Sequence, residues 1–369
     1  MRATANKDEL VFAAGTAGRA QTSKTATSPQ GVRLTAEDGT LFLTSVDNEI
    51  AITCRIAAQV LEPGAIVLPG KLLAEAVRRF PGLDIDLEVL LGRHTMTLRS
   101  GFSELDLLGM PATNFPELPE IESLSAFSLP EHVLGAMLRQ TSFALSSDDM
   151  RPILTGMLWH FSTGILRIVA ADGFKVASRI EQVEDTGAAP FRVVVPGRTI
   201  HELERLLGNG DEPVEIAVGR NHILFQVKGT VLISRLLEGN YIDVDRFVPT
   251  TFVTHLSVKP KTLIDALERS AVVAKDGLIA TVRLHLRDGR LSVRAQSAEY
   301  GKHFEEWPVE MRGEEMDILF NIRVLGEVVR SITEGDVELS FTGQHGPCIA
   351  RSAVSPENYW SLVMPVRLS

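Results

Sequence analysis

Stretches in which apolar and polar residues alternate, as in VEIAV (214–218) and HILFQV (222–227), recur along the chain and predict strands with one buried face. Between such stretches the apolar spacing changes to that of a helix, as with Leu263, Leu267 and Ala271. Three hairpin-like segments, 31–56, 156–180 and 281–304, have turn glycines at Gly39, Gly164 and Gly289, and both intervals are 125 residues. Eight residues beyond each glycine stand Asp47, Asp172 and Ser297, so the register persists across the second strand of each hairpin. The chain is internally repeated three times.

A second anchor follows each hairpin, where a short apolar strand runs into a helix: IVLPGKLLAEAVRRF, VVVPGRTIHELERLL and ILFNIRVLGEVVRSI. Pro69, Pro196 and Asn321 head these helices. Proline is tolerated at a helix start because its missing N–H has no intrahelical partner there, and asparagine caps the free amides. A further helical stretch precedes each hairpin, which gives six helical windows: 7–20, 70–81, 130–145, 197–208, 259–275 and 321–333. Each repeat therefore predicts helix, strands, helix, strands, an α+β architecture in triplicate with expected domains 1–125, 126–250 and 251–369.

The 369 residues exceed what one ordinary core needs and fit several domains. No apolar run is long enough to span a bilayer and no charged-then-apolar leader opens the chain, so a soluble, cytoplasmic protein is expected. The only two cysteines, Cys54 and Cys348, support neither a disulfide framework nor a zinc site. The net charge of −10 opposes nucleic-acid binding unless the charge is segregated, and it is. The six helical windows hold 14 Lys and Arg against 9 Asp and Glu, whereas the other 285 residues carry 23 against 38. Basic helices on an acidic body would let one surface face phosphates. Helices about 10 Å wide, twelve to a ring, enclose an opening of about 28 Å, wide enough for duplex DNA, whereas six enclose only about 9 Å. A ring of this repeat needs two chains.

Several segments carry a resemblance to a known family: DMRPILTGML (149–158), AADGFKVASR (170–179), SRLLEGNYIDVDRFVP (234–249), FNIRVLGEVV (320–329) and LVMPVRL (362–368). With them the chain resembles the bacterial beta sliding clamp, the beta subunit of DNA polymerase III, over its whole length, most loosely in the first repeat. The resemblance implies a head-to-tail homodimeric ring with helices inside and sheets outside, no cofactor and no catalysis. Its implied partners are double-stranded DNA, the polymerase III alpha subunit, the clamp loader, and other polymerases and repair proteins bearing clamp-binding peptides.

Position by position, the resemblance implies a peptide groove lined by Leu154, Ala171, Gly173, Phe174, Lys175, Val176, Ile242, Arg246, Phe247, Val324, Pro347, Leu362, Met364, Pro365, Val366 and Arg367. Apolar walls would take hydrophobic anchors, Met364 would adapt to different partners, and the arginines would meet acidic or carbonyl groups. Here Phe174 and Lys175 stand where the family commonly has His and Arg, Ile242 where it has Pro, and Val366 where it has Met, so peptide preference is expected to differ. For DNA the matching positions are Lys24 and Arg151, and the helices add Lys71, Arg78, Arg79, Arg139, Arg198, Arg205, Lys261 and Arg323. Sliding requires weak contacts indifferent to base identity, which lysine and arginine on phosphates supply. The loop 22–30 lacks the family's Arg-Pro-Thr-Leu-Pro-Ile-Leu run and keeps only Lys24 at its basic position. At the dimer seam Leu105 is expected near Val272 and Val273 of the other chain, with Glu305 and Glu306 available for ion pairs.

Catalytic motifs are absent from the sequence. GAIVLPGKL (64–72) has five residues between its glycines and Leu72 where a phosphate loop needs Ser or Thr. GFSEL (101–105) lacks the closing glycine of a nucleophile elbow. Asp172 has counterparts in Asp47 and Ser297, which marks its slot as structural. Two alternatives remain: a specialised clamp paralogue with altered partners, and a hydrolase or transferase on a repeated α+β scaffold.

Overall fold

The computed structural model describes all residues except 22–30, 91, 93, 185–186, 275–279 and 368–369, so Lys24 and its loop lie outside the described residues. The first repeat runs β1 (Arg2–Asn6), α1 (Lys7–Ala17), β2 (Val32–Glu37), β3 (Thr40–Val46), β4 (Ile50–Glu62), β5 (Gly64–Leu68), α2 (Gly70–Arg79), β6 (Asp84–Val89), β7 (Thr95–Ser100) and β8 (Ser103–Leu108). The second follows the same order: β9 (Ser125–Pro130), α3 (Glu131–Thr141), β10 (Gly156–Ser162), β11 (Ile165–Ala171), β12 (Lys175–Gln182), β13 (Phe191–Pro196), α4 (Gly197–Leu206), β14 (Pro213–Val218), β15 (His222–Val227) and β16 (Thr230–Arg235). The third is β17 (Thr254–Val258), α5 (Pro260–Val273), β18 (Thr281–Arg287), β19 (Arg290–Ser297), β20 (Gly301–Pro308), β21 (Glu310–Gly313), β22 (Met316–Asn321), α6 (Ile322–Arg330), β23 (Val337–Phe341), β24 (Cys348–Ser352) and β25 (Tyr359–Val363). The helix-strand repeat is thus present three times, with β21 as an addition in the third.

The hairpins form where the turn glycines stand. Asp38-Gly39, Thr163-Gly164 and Asp288-Gly289 all have positive φ at both positions, the geometry of a two-residue turn whose twist matches the flanking strands. The residue eight positions on also has one job in all three repeats. Asp47 Oδ1 accepts from the amides of Glu49 and Ile50, Asp172 Oδ1 from Phe174 and Lys175, and Ser297 Oγ from Glu299 and Tyr300, at 2.8–3.0 Å. Each holds the bend that turns one strand into the next.

The helices are shorter than the sequence windows. Phe80 is already extended after α2, because the residue before Pro81 is pushed out of the helical region. After α1 and α3 the chain tightens into 3-10 turns at Gly18–Ala20 and Ser142–Ala144. On α5 the buried stripe is Leu263, Ala266, Leu267 and Ser270, and Ala271, expected on it, is exposed. Three- and four-residue steps together keep a stripe on one face, whereas repeated four-residue steps drift off it.

The chain forms two compact units, one of Met1–His132, Thr186–Ala189 and Arg205–Leu236 and the other of Val133–Asp185, Pro190–Glu204 and Leu237–Ser369. The first holds a 12-stranded sheet in which β4 pairs β16 across the repeat boundary, and α1 covers it with Leu10, Ala13, Ala14 and Ala17 fully buried. The second holds a nine-stranded sheet, in which β12 pairs β25, and a four-stranded sheet ordered β20-β19-β18-β22. Its largest fully buried side chains include Trp159, Phe320, Phe341 and Tyr359. No helix among the described residues is long and apolar enough to cross a membrane.

Candidate functional site

A cavity of about 810 Å³ opens within the second unit, beside the β12–β25 junction. Four pieces of chain converge on it. The 3-10 turn Pro152–Thr155 brings Ile153 and Leu154, and the bend between β11 and β12 brings Gly173, Phe174 and Lys175. The 3-10 turn Val244–Phe247 adds Arg246 and Phe247, and β25 with its continuation adds Leu362 and Met364. Beneath them Leu158, Val169, Tyr241, Val244 and Ile349 pack into one apolar cluster.

The bend is a built feature. Gly173 takes φ 97°, a left-handed conformation that glycine adopts without strain, and Asp172 caps the turn from below. The carbonyl of Phe174 accepts from the Met364 amide at 2.8 Å, so the two residues are tied across the groove wall. Phe174 and Phe247 remain 69% and 59% exposed, large apolar surface left open to solvent.

The charges around the groove differ in what they can offer. The Lys175 side chain is 9% exposed, with Nζ 2.5 Å from Glu327 Oε2 and 3.7 Å from Asp172 Oδ2, and it lies over the Phe143 ring. Its positive charge is satisfied internally. Arg246 is 81% exposed with Nε on Asp243 at 3.0 Å, and Arg151 is exposed on the same cavity wall. These two guanidiniums are the ones presented to an incoming group. At the Val244–Phe247 turn Arg167 grips Asp245 through both carboxylate oxygens and holds its carboxyl below the usual range.

Twelve of the sixteen sequence-assigned groove residues line this cavity. Val324, Pro365, Val366 and Arg367 do not line it, and the Val366 amide donates instead to Leu319 O of β22 at 2.7 Å. Arg151, assigned to DNA from sequence, is on the wall, as is Ile153, which sequence reasoning missed. Its position beside Leu154 in a Pro-initiated turn was the available signal.

Among the helical cations, Lys71, Arg78, Arg79, Arg139, Arg205, Lys261 and Arg323 are exposed and Arg198 is half-buried. Lys261 and Arg323 pair with Asp265 and Glu327 of their own helices at 3.0 and 2.9 Å. At the expected seam Leu105 on β8 and Val272 on α5 are 39% and 63% exposed, and Val273 is half-buried. Glu305 and Glu306 already pair within the chain, with Arg269 and Arg290. No metal-binding cluster occurs among the described residues.

Comparison with known proteins identifies the family of the fold. Family models for the DNA polymerase III beta subunit match throughout: the N-terminal domain over residues 1–119, the central domain over 128–243 and the C-terminal domain over 245–367. A beta sliding clamp of Bacillus subtilis is 30% identical, with all of both chains covered. The crystal structure of the DNA polymerase sliding clamp from that organism superposes with a TM-score of 0.95 at 29% identity over the whole of both chains. The beta subunit of Streptococcus pyogenes superposes at 0.94 with 27% identity, again over both chains in full.

Proposed function

This chain belongs to the DNA polymerase III beta subunit family and is a non-catalytic subunit, and from that premise we propose that two copies close head to tail around duplex DNA as a sliding processivity factor. Three domains, 1–125, 126–250 and 251–369, would make up each half of the ring. The observation that carries this reading lies in the strand ladders. In repeat one β4 pairs the last strand of repeat two, and in repeat two β12 pairs the last strand of repeat three. Their equivalents β20 and β8 have no such partner among the described residues. Unpaired strand edges invite association, and here the two ends are complementary by construction.

The existing ladders also supply a register. If the β12–β25 pairing is carried onto β20 and β8, Lys302 would stand opposite Asp106 of the partner subunit, His303 opposite Leu105 of the partner subunit, and Phe304 opposite Glu104 of the partner subunit. Core-facing and outward-facing positions then coincide on the two strands, whereas a slip of one residue would set Lys302 against an inward leucine. An opposite-charge cross-strand pair adds modest stability of about 0.2–1 kcal/mol. Most of the seam's strength would come from the exposed apolar residues it covers.

Within this reading the exposed cations of α2 to α6 meet phosphates without reading bases. The groove takes a short linear peptide from polymerases, the clamp loader and repair proteins, its apolar side chains entering between Phe174, Leu362 and Met364 while Arg151 and Arg246 meet acidic or carbonyl groups at the rim. Burying one such anchor contributes about 1.5–3 kcal/mol. Sedimentation equilibrium on the purified chain tests the ring: the reading expects twice the 40.3 kDa chain mass, and a stable monomer or a trimer would overturn it.

A further inference from the structure

The four-stranded sheet of the second unit has two unlike faces. Toward α5 it presents Leu291, Val293, His303 and Glu305, with Arg269 and Ser270 of the helix bonded to Glu305 and His303. The opposite face is polar and strongly basic. Arg287 and Arg290 on it are paired, with Glu315 at 3.7 Å and Glu306 at 2.6 Å. Arg283 and Arg294 are not. They are direct cross-strand neighbours on β18 and β19, both exposed, and neither forms an ion pair among the described residues. Like charges directly opposite one another destabilise a sheet, so this pair opposes the fold that carries it.

The two arginines border a recess of about 500 Å³, whose wall also includes Thr281, Gln296, Leu319 and the hydrogen-bonded pair His285 and Asp317. The Arg294 guanidinium lies over the Phe304 ring at 5.1 Å, a cation–π contact beside the recess. Two adjacent guanidiniums, neutral hydrogen-bonding groups at one end and an apolar wall at the other form a receptor for a planar oxyanion carried on a partly apolar chain. Asp317 on the rim disfavours a continuous run of phosphates while leaving room for a single carboxylate between the arginines.

We infer that this recess is a second docking site, distinct from the groove, that holds an acidic segment of a partner protein through a carboxylate clasped by Arg283 and Arg294. None of its lining residues belongs to the groove, and its only tie to β20 among the described residues is the Phe304 ring beneath Arg294. Its occupant supplies the countercharge that the chain does not bring to these two arginines.

The test is fluorescence anisotropy of a short labelled Glu/Leu peptide on the full-length protein at low ionic strength, with a duplex oligonucleotide and inorganic phosphate as competitors. Arg283→Gln with Arg294→Gln is expected to weaken the peptide about tenfold or more, since two charge-assisted contacts are lost. Phe174→Ala should leave it unchanged. The melting temperature of the double variant should hold or rise, because a like-charge contact has been removed. Equal binding by the double variant, loss of binding in Phe174→Ala, a clear fall in melting temperature, or preference for the duplex or for phosphate over the peptide would each overturn the assignment.

Discussion

Arg167 and Asp245, 78 residues apart, form a two-pronged ion pair, Nη1 to Oδ2 at 2.8 Å and Nη2 to Oδ1 at 2.7 Å. The bond fastens the 3-10 turn Val244–Phe247 to β11, and that turn presents Arg246 and Phe247 to the groove. Arg167 is therefore a positioning residue. Asp245→Asn should weaken binding of a clamp-binding peptide several-fold while the melting temperature changes little, since an exposed pair of this kind contributes little to global stability. Isothermal titration beside thermal melting separates the two effects, and unchanged peptide affinity would remove Asp245 from the account.

Phe174 is expected to matter more. It is 69% exposed on the groove wall, and its backbone is fixed by Asp172 and by the Met364 amide. Phe174→Ala removes contact surface without opening a core cavity. A loss of about 1.5–3 kcal/mol of anchor burial corresponds to roughly a 10- to 150-fold weaker peptide. Fold stability should be nearly unaffected, as measured by melting.

Much of the fold was legible in the sequence because its turns demand particular residues. Gly39, Gly164 and Gly289 mark the hairpins since each sits at positive φ, and Asn321 marks α6 since its side chain accepts from the amides of Arg323 and Val324. The cap of α1 went unread although Asn6 does the same for Asp8 and Glu9. Longer-range features were not readable in this way. The β4–β16 and β12–β25 ladders join residues more than 150 positions apart, and nothing local in either strand names its partner. The groove draws on residues from Arg151 to Met364, so family resemblance rather than spacing assembled it. Resemblance also placed Val324 and 365–367 on the wall, whereas the chain after Met364 turns aside to bond Leu319.

Acid should loosen the α5 attachment in a defined window. A hydrogen bond from Arg269, helped by His303, holds the Glu305 carboxyl down at about 2. A depressed carboxylate contributes stability that is fully present above its unfolded value, about 4.3, and is lost as pH falls through the folded one. Wild type and Glu305→Gln should therefore differ in melting temperature near neutrality and converge as pH drops from about 5 toward 2. A constant difference across that range would show that the charge is not responsible.

Both cysteines should be silent in the native state. Burial pushes the Cys54 thiol up to about 11 and the Cys348 thiol up as well, so neither supplies thiolate at neutral pH. An aromatic disulfide reagent should label neither in buffer and both in denaturant. Rapid labelling of either one in buffer would contradict the packing around it.

The most direct test of the encircling role is topological. Protein placed on singly nicked circular duplex DNA by a clamp loader should stay with it through gel filtration and leave promptly once the circle is cut. Dissociation at the same rate from circular and linear DNA, or firm retention on the linear form, would contradict a closed sliding ring.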